Sequence, residues 1–371
     1  MLPVSRPSIG QEELEEIEKV FSTGWLGLGA TVFDFENKLK NYLEAKNVIA
    51  VNTGTTALHL ALDAFGVKDG DEVIVPSLTF CASIQVITAL GGKPVFCEVN
   101  PDNLNMDIAD VKNKITAKTK AIMPVHYCGQ ACDMDALIEI SKNRKIFIIE
   151  DAAHAFGSSY KGKKIGSFGD VTCFSFDPIK NLTCGEGGAV VLSDDVVAEL
   201  IRTKRILGID KDTWHRYRNE RAWFYEVTMQ GYRYHMSNVN AAIGIAQFQK
   251  LDLFIQRKKE IVQKYNYAFR EITGLKILTW NLKETAPFTY ILRVLNDKRE
   301  DLIEFLKAKG IGTGIHYIPN HLQPFFKQFS LSLPVTEQIG EEILTLPLYY
   351  DMTNEQVATV IEAVRDFFNR E

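Results

Sequence analysis

The chain has 371 residues, 46% of them hydrophobic and 24% charged, with a formal net charge of -5. That is long and apolar enough for an extensive core, and it gives no electrostatic reason to bind nucleic acid or an anionic membrane surface. No run approaches the roughly 18–20 apolar residues of a membrane helix, and MLPVSRPSIGQEELEEIEKV at the start lacks a signal peptide's apolar core, so a cytoplasmic protein is expected.

The first predicted element is a helix in GQEELEEIEKVFSTG, where Leu14, Ile17, Val20 and Phe21 recur at helical spacing before a glycine, as in a helix packed on the body of the fold. Seven short β-branched runs follow: NVIAVNT, DEVIVPSLTF, KPVFCEVN, KAIMPVHY, IFIIED, DVTCFSF and GGAVVLS. Helix-period segments such as TTALHLALDAFG separate them, which predicts an α/β domain with a mostly parallel sheet covered on both faces, over residues 1–250. A long amphipathic helix in NAAIGIAQFQKLDLFIQRKKEIVQKYNYAFREI leads to FTYILRVLN, DLIEFLKAKG, GTGIHY and NEQVATVIEAVRDFF, the order of a small α+β domain over 251–371. The six cysteines, Cys81, Cys97, Cys128, Cys132, Cys173 and Cys184, form no CxxC pair and no zinc-type spacing, so reduced and mostly buried thiols without a metal are expected.

In doubly wound sheets ligands sit beyond the carboxyl ends of the strands, so those junctions carry the candidate chemistry. After the first strand, Gly54, Thr55 and Thr56 open a helix whose free amides suit a phosphate, although a threonine there is equally a helix cap. Asp151 ends IFIIED and is followed by Ala152, Ala153 and His154; its carboxylate either caps the next turn or holds the protonated nitrogen of a heteroaromatic ring. Ser175 and Lys180 lie after DVTCFSF, ahead of Gly185, Gly187 and Gly188, which let a backbone approach a ligand closely. Lys180 alone reads as a solvated cation, and becomes a nucleophile only if burial or a neighbouring cation lowers its pKa. An anion anchor, a ring-nitrogen partner and a lysine at successive strand ends are what pyridoxal 5'-phosphate (PLP) requires.

Read in order, GWLGLGATVFDFE, NTGTTALHLAL, GDEVIVPSLTF, AIMPVHYCGQACDMD, EDAAHAFGSSYKGKKIGSFGD, FSFDPIKNLTCGEGGAVV, YRYHMSNVNAAIG and GIHYIPNHLQPF resemble the DegT/DnrJ/EryC1/StrS sugar aminotransferases, PLP enzymes of fold-type I. The resemblance implies a large sheet domain plus a smaller C-terminal one. Lys180 would be the lysine that bonds the cofactor and later moves a proton between substrate carbon and cofactor, with Asp151 at the ring nitrogen. Phe80 would stack on one face of the ring and Ala153 lie against the other, while Thr55, Thr56 and Ser175 would hold the phosphate. His154 stands where many members carry a glutamine that bonds the phenolic oxygen. Arg233, where asparagine is commoner, would reach the phosphate or substrate pyrophosphate from the neighbouring subunit of a homodimer.

The segment of residues 202–235, including Tyr232, would lie near the nucleotide-sugar site, and His316, Tyr317 and His321 would line the sugar pocket. Asp177 stands where histidine or tyrosine is frequent, either tuning Lys180 or forming a turn before Pro178. The implied reaction takes an amino group from L-glutamate to a nucleoside-diphosphate keto-sugar. The GEGG run after Lys180 is similar to that of members acting on 4-keto rather than 3-keto sugars. Related dehydratases carry histidine at the lysine position, and Lys180 argues against that chemistry and against a non-catalytic sugar binder.

Overall fold

The structure is a computed structural model that describes residues 1–209 and 225–369. Each of the seven apolar runs forms a strand: β1 (Asn47–Val51), β2 (Glu72–Pro76), β3 (Lys93–Cys97), β4 (Thr119–Ile122), β5 (Phe147–Asp151), then β8 (Val171–Ser175) and β9 (Gly188–Leu192) after a small hairpin of β6 (Ser159–Tyr160) and β7 (Lys163–Lys164). They make one sheet in the order β1-β9-β8-β5-β4-β2-β3. Pairing is parallel from β8 through β5, β4 and β2 to β3, while β9 runs antiparallel to both of its neighbours. Near-continuous burial of these strands matches a sheet covered on both faces, and the carboxyl ends of β1, β2, β5 and β8 open on the same side.

The helices of this first part are α1 (Gln11–Thr23), α2 (Ala30–Leu43), α3 (Gly54–Ala64), α4 (Ala82–Ala89), α5 (Ile108–Lys114), α6 (Met134–Arg144) and α7 (Asp195–Lys204). Helix α1 ends at Gly24 in the left-handed conformation, as the glycine suggests. Its apolar stripe is not buried as expected, because Leu14 and Phe21 are exposed. The helix docks instead through Val20 and the buried Glu13, whose carboxylate meets Lys250 at 2.6 Å and Gln247 at 2.7 Å and caps Gly10 N–H at 2.7 Å.

Glu13 and its two partners connect α1 to α8 (Asn238–Phe269), the long helix. Its first half, with Ala241, Ile245, Leu251 and Ile255, packs in the core against the large sheet. Its second half, with Ile261, Val262, Tyr265 and Phe269, packs against a three-stranded antiparallel sheet of β10 (Leu275–Ile277), β11 (Tyr290–Val294) and β12 (Ile343–Leu346). Helices α9 (Arg299–Ala308), α10 (Pro334–Glu342) and α11 (Asn354–Asn369) complete this part. GTGIHY contributes no strand, only a bridge from Gly314 to Thr345. Five of the six cysteines are buried, Cys81 is exposed, and all six are free thiols. Among the described residues no helix is long and apolar enough to cross a membrane, and no cluster of metal-type side chains occurs.

Candidate active site

The strand ends converge on a cavity of about 290 Å³. Thr53, just past β1, caps α3: its hydroxyl accepts from the Thr56 N–H at 3.0 Å, leaving the first amides of the helix, at Gly54 and Thr55, without intrahelical partners at the cavity wall. A side chain at residue 54 would place Cβ 2.7 Å from Ser175 Cβ, and one at residue 188 would place it 2.4 Å from the Thr53 carbonyl oxygen. Only glycines therefore let the helix start press against Ser175 and β9, and the amides with the Ser175 hydroxyl form a donor-rich cradle fit for a phosphate. Thr56 does not line the cavity; its hydroxyl donates to Asn52 Oδ1 at 2.8 Å and belongs to the cap that holds the turn.

Asp151, at the end of β5, is buried and lines the cavity. Burial pushes its carboxyl up, opposed by Ser83 Oγ, which donates to Oδ2 at 2.7 Å, by the Ala153 N–H, which donates to Oδ1 at 3.1 Å, and by the charge of Lys180. A desolvated carboxylate so positioned complements a protonated ring nitrogen. Its neighbour Glu150 is buried away from the cavity, accepting from Thr172 Oγ1 at 2.6 Å, the Gly169 N–H at 2.7 Å and His126 Nε2 at 2.8 Å. His126 Nδ1 accepts from the Cys132 N–H at 3.1 Å, which leaves the ring proton on Nε2 and fixes the floor under β5.

Lys180 follows β8 in a turn, its N–H donating to the Asp177 carbonyl at 3.1 Å while Asp177 Oδ1 accepts from the Ile179 N–H at 3.1 Å. Asp177 is thus a turn residue, and its carboxylate also lines the cavity. Desolvation lowers the Lys180 pKa to about 8, against the raising influence of Asp177 and Asp151. At pH 7 about one amine in ten is then neutral, against fewer than about one in a thousand for a solvated lysine. Its Nζ lies 4.3 Å from the centroid of the Phe288 ring.

His154 stacks on that same ring, with centroids 4.2 Å apart. Its Nε2 meets Tyr317 Oη at 3.0 Å, and its Nδ1 is buried with no protein partner, an atom the cavity leaves for a ligand. Burial, reinforced by Lys180 and His316, holds this imidazole well below its ordinary pKa, hence neutral. Phe80, half-exposed, and Ala153 line the same space, and the Phe80 ring sits 5.6 Å from that of Tyr317. His316 also lines it, anchored by Nδ1 to Thr345 Oγ1 at 2.9 Å, and Tyr127 Oη donates to its carbonyl.

Three expected residues lie elsewhere in this chain. Tyr232 stacks on Tyr234 at 4.9 Å and meets the edge of His59 at 4.8 Å on the flank of α3. Arg233 lines a separate hollow of about 390 Å³ with Trp25, Leu26, Ile206 and His235. His321 is a correction: rather than lining a sugar pocket it is buried, with Nδ1 2.7 Å from Ser77 Oγ, just past β2, and Nε2 3.3 Å from Glu337 Oε1 on α10. Residues 210–224 of the basic, aromatic segment lie outside the described residues.

The sequence reading missed Thr53, Ser83 and Phe288. Thr53 had a local signal, a threonine ahead of a glycine at a helix start, and Ser83 lies in the first turn of α4. Phe288 has none, since it comes from the segment before β11 and reaches Lys180 only through the tertiary fold.

A partly neutral amine, a desolvated carboxylate and a cradle for phosphate suit a phosphate-bearing aldehyde, and with this sheet they place the protein among the PLP-dependent transaminases of fold-type I. The chain belongs to the DegT/DnrJ/EryC1/StrS aminotransferase family, whose model matches residues 7–365. It is 40% identical to SpsC, a spore coat polysaccharide biosynthesis protein of Bacillus subtilis, over 98% of this chain and 96% of the relative. The aminotransferase TlmJ from Streptoalloteichus hindustanus superimposes with a TM-score of 0.94 at 33% identity, covering 100% of this chain and 99% of that one. The proposed sugar aminotransferase Spr1654 from Streptococcus pneumoniae, in its PMP form, gives 0.94 at 30% identity with 100% of both chains covered. The chain is a sugar aminotransferase, acting on a sugar and an amino donor.

Proposed function

We propose that the enzyme transfers an amino group from L-glutamate to a keto-6-deoxy sugar carried on a nucleoside diphosphate, at C4. The observation that carries the reading is the Lys180 amine in the cavity it shares with Asp151, Ser175 and the amides of Gly54 and Thr55. PLP, when bound, supplies the electron sink for moving the amino group. Gly54, Thr55 and Ser175 hold its phosphate, with Thr56 fixing the turn. Asp151 would accept a hydrogen bond from the protonated ring nitrogen, Phe80 and Ala153 would flank the ring, and His154 Nδ1 would bond the phenolic oxygen. Lys180 would hold the cofactor and, once free, would take and return the proton at the reacting carbon, work suited to an amine with a pKa near the operating pH. His316 and Tyr317 face the sugar.

Tyr232 and Arg233, remote from their own cavity, serve the second subunit of a homodimer, Arg233 at the cofactor phosphate or the substrate pyrophosphate. Exposed Leu14, Phe21 and Leu26 support such an interface. The division into a cofactor domain of residues 1–250 and a smaller domain of 251–371 belongs to the same proposal, with α8 as the bridge. Free thiols favour the cytoplasm, and the part of SpsC in spore coat polysaccharide biosynthesis favours glycan assembly, lipopolysaccharide or antibiotic sugars being the wider possibilities.

The similarity of GEGG to 4-keto members favours C4 over the alternative C3. Incubating enzyme and L-glutamate with a 4-keto-6-deoxyhexose nucleotide and with its 3-keto isomer, then locating the new amine by NMR, decides between them. Amination of the 3-keto isomer alone would overturn the C4 reading, and a monomer by light scattering at full activity would overturn the dimer.

A further inference from the structure

Behind Lys180 lies a second buried lysine that the proposed chemistry does not use. Lys258, on the middle of α8, is 5% exposed, and among the described residues it makes no ion pair. Its Nζ donates to Asn181 Oδ1 at 2.9 Å. Asn181 is the residue after Lys180, and its amide is oriented by donating from Nδ2 to the Ala286 carbonyl at 3.1 Å, which turns its oxygen toward Lys258. Lys180 and Lys258 share the wall of a hollow of about 20 Å³, space for one water, with Arg6 from the N-terminal segment and Tyr350 from beyond β12. A buried ammonium whose hydrogen-bond partner is a neutral amide is poorly compensated, and a second ammonium beside it makes both harder to charge.

We propose that Lys258 is a positioning residue for Lys180: the two amines line one small buried hollow and disfavour each other's charge, so that a charge held at position 258 makes the Lys180 amine easier to deprotonate. The inference rests on Lys180 being the reacting lysine, but it is tested without turnover. Burial and the charge of Lys180 lower Lys258 to about 7, below the value of about 8 for Lys180, so Lys258 gives up its proton first while Lys180 is still charged. The other titratable groups lining the cavity with Lys180 are Asp177 and Asp151, which favour its charged form, Glu186 and Tyr317, and His154 and His316, whose pKa values burial and Lys180 lower. None of them lines the rear hollow, where Arg6 is the remaining cation.

The test uses the full-length chain freed of cofactor, labelled competitively with acetic anhydride across pH 5–10, with the extent of reaction at each lysine read by peptide mass spectrometry. Lys258→Met removes the charge and Lys258→Arg makes it permanent, both keeping the long stem. The Lys180 midpoint in Lys258→Arg should fall at least about half a pH unit below that in Lys258→Met, as a neighbouring charge requires. By reciprocity, Lys180→Ala should raise the Lys258 midpoint, a measurement that needs neither substitution at 258. Equal Lys180 midpoints in the two variants, or a Lys258 midpoint unmoved by Lys180→Ala, would overturn the proposal. Loss of turnover in Lys258→Met with unchanged midpoints would mean a structural role only, and is counted against it. Should the assignment of Lys180 as the reacting lysine fail, the coupling would still be measured.

Discussion

Replacing Ser83 by alanine isolates the electrostatics of Asp151. Ser83 Oγ donates to Asp151 Oδ2 at 2.7 Å and also contacts Thr79 Oγ1 at 3.0 Å, all in a buried setting. A hydrogen bond to a buried charge is worth about 1.5–3 kcal/mol, and one to the neutral acid about 0.5–1.5 kcal/mol. The loss in Ser83→Ala should therefore grow by about 1 kcal/mol as Asp151 ionises. The sign follows from burial, which raises the Asp151 pKa in the fold above its unfolded value of about 3.9. Its contribution is full below that value and is lost as pH rises through the folded midpoint; without Ser83 that midpoint climbs, and the loss runs deeper. The assay is urea unfolding of the cofactor-free chain at pH 4 to 8, wild type against Ser83→Ala. A difference that widens with pH is expected, and a constant difference would refute the idea that Ser83 supports the charged form.

Gly188→Ala would drive a Cβ to 2.4 Å from the Thr53 carbonyl, a clash between backbones that no rotamer relieves. It should cost on the order of 1–3 kcal/mol and weaken binding of PLP by equilibrium dialysis, since the cradle must open; unchanged stability and affinity would contradict the close approach. Asp177→Asn keeps an oxygen to accept from the Ile179 N–H but removes the charge that raises Lys180, so the Lys180 midpoint should fall below about 8 in the labelling assay. A midpoint that rises would reverse that account.

The seven strands were legible because a sheet buried on both faces leaves short, mostly apolar β-branched runs with their polar residues mainly at the ends, and junction chemistry placed Gly54, Asp151, Ser175 and Lys180 together. Periodicity states which residues share a helix face but not what covers it, hence Leu14 and Phe21 exposed while Glu13 is buried between Gln247 and Lys250. His316 and His321 are indistinguishable in GIHYIPNH; the turn of the loop sends one to the cavity and the other to Ser77. Asp177, with two readings open, both forms the turn and faces the cavity. Phe288 and Lys258 come from segments far along the chain, so no local pattern connects them to Lys180.

The central claim is that amino transfer runs through Lys180. Loading the chain with PLP, reducing with borohydride and mapping the digest by mass spectrometry tests it most directly. A pyridoxyl group on the Lys180 peptide alone is predicted, with neither label nor amination of a keto-sugar nucleotide in Lys180→Ala. A label on Lys258 or any other lysine, or turnover that persists in Lys180→Ala, would contradict it.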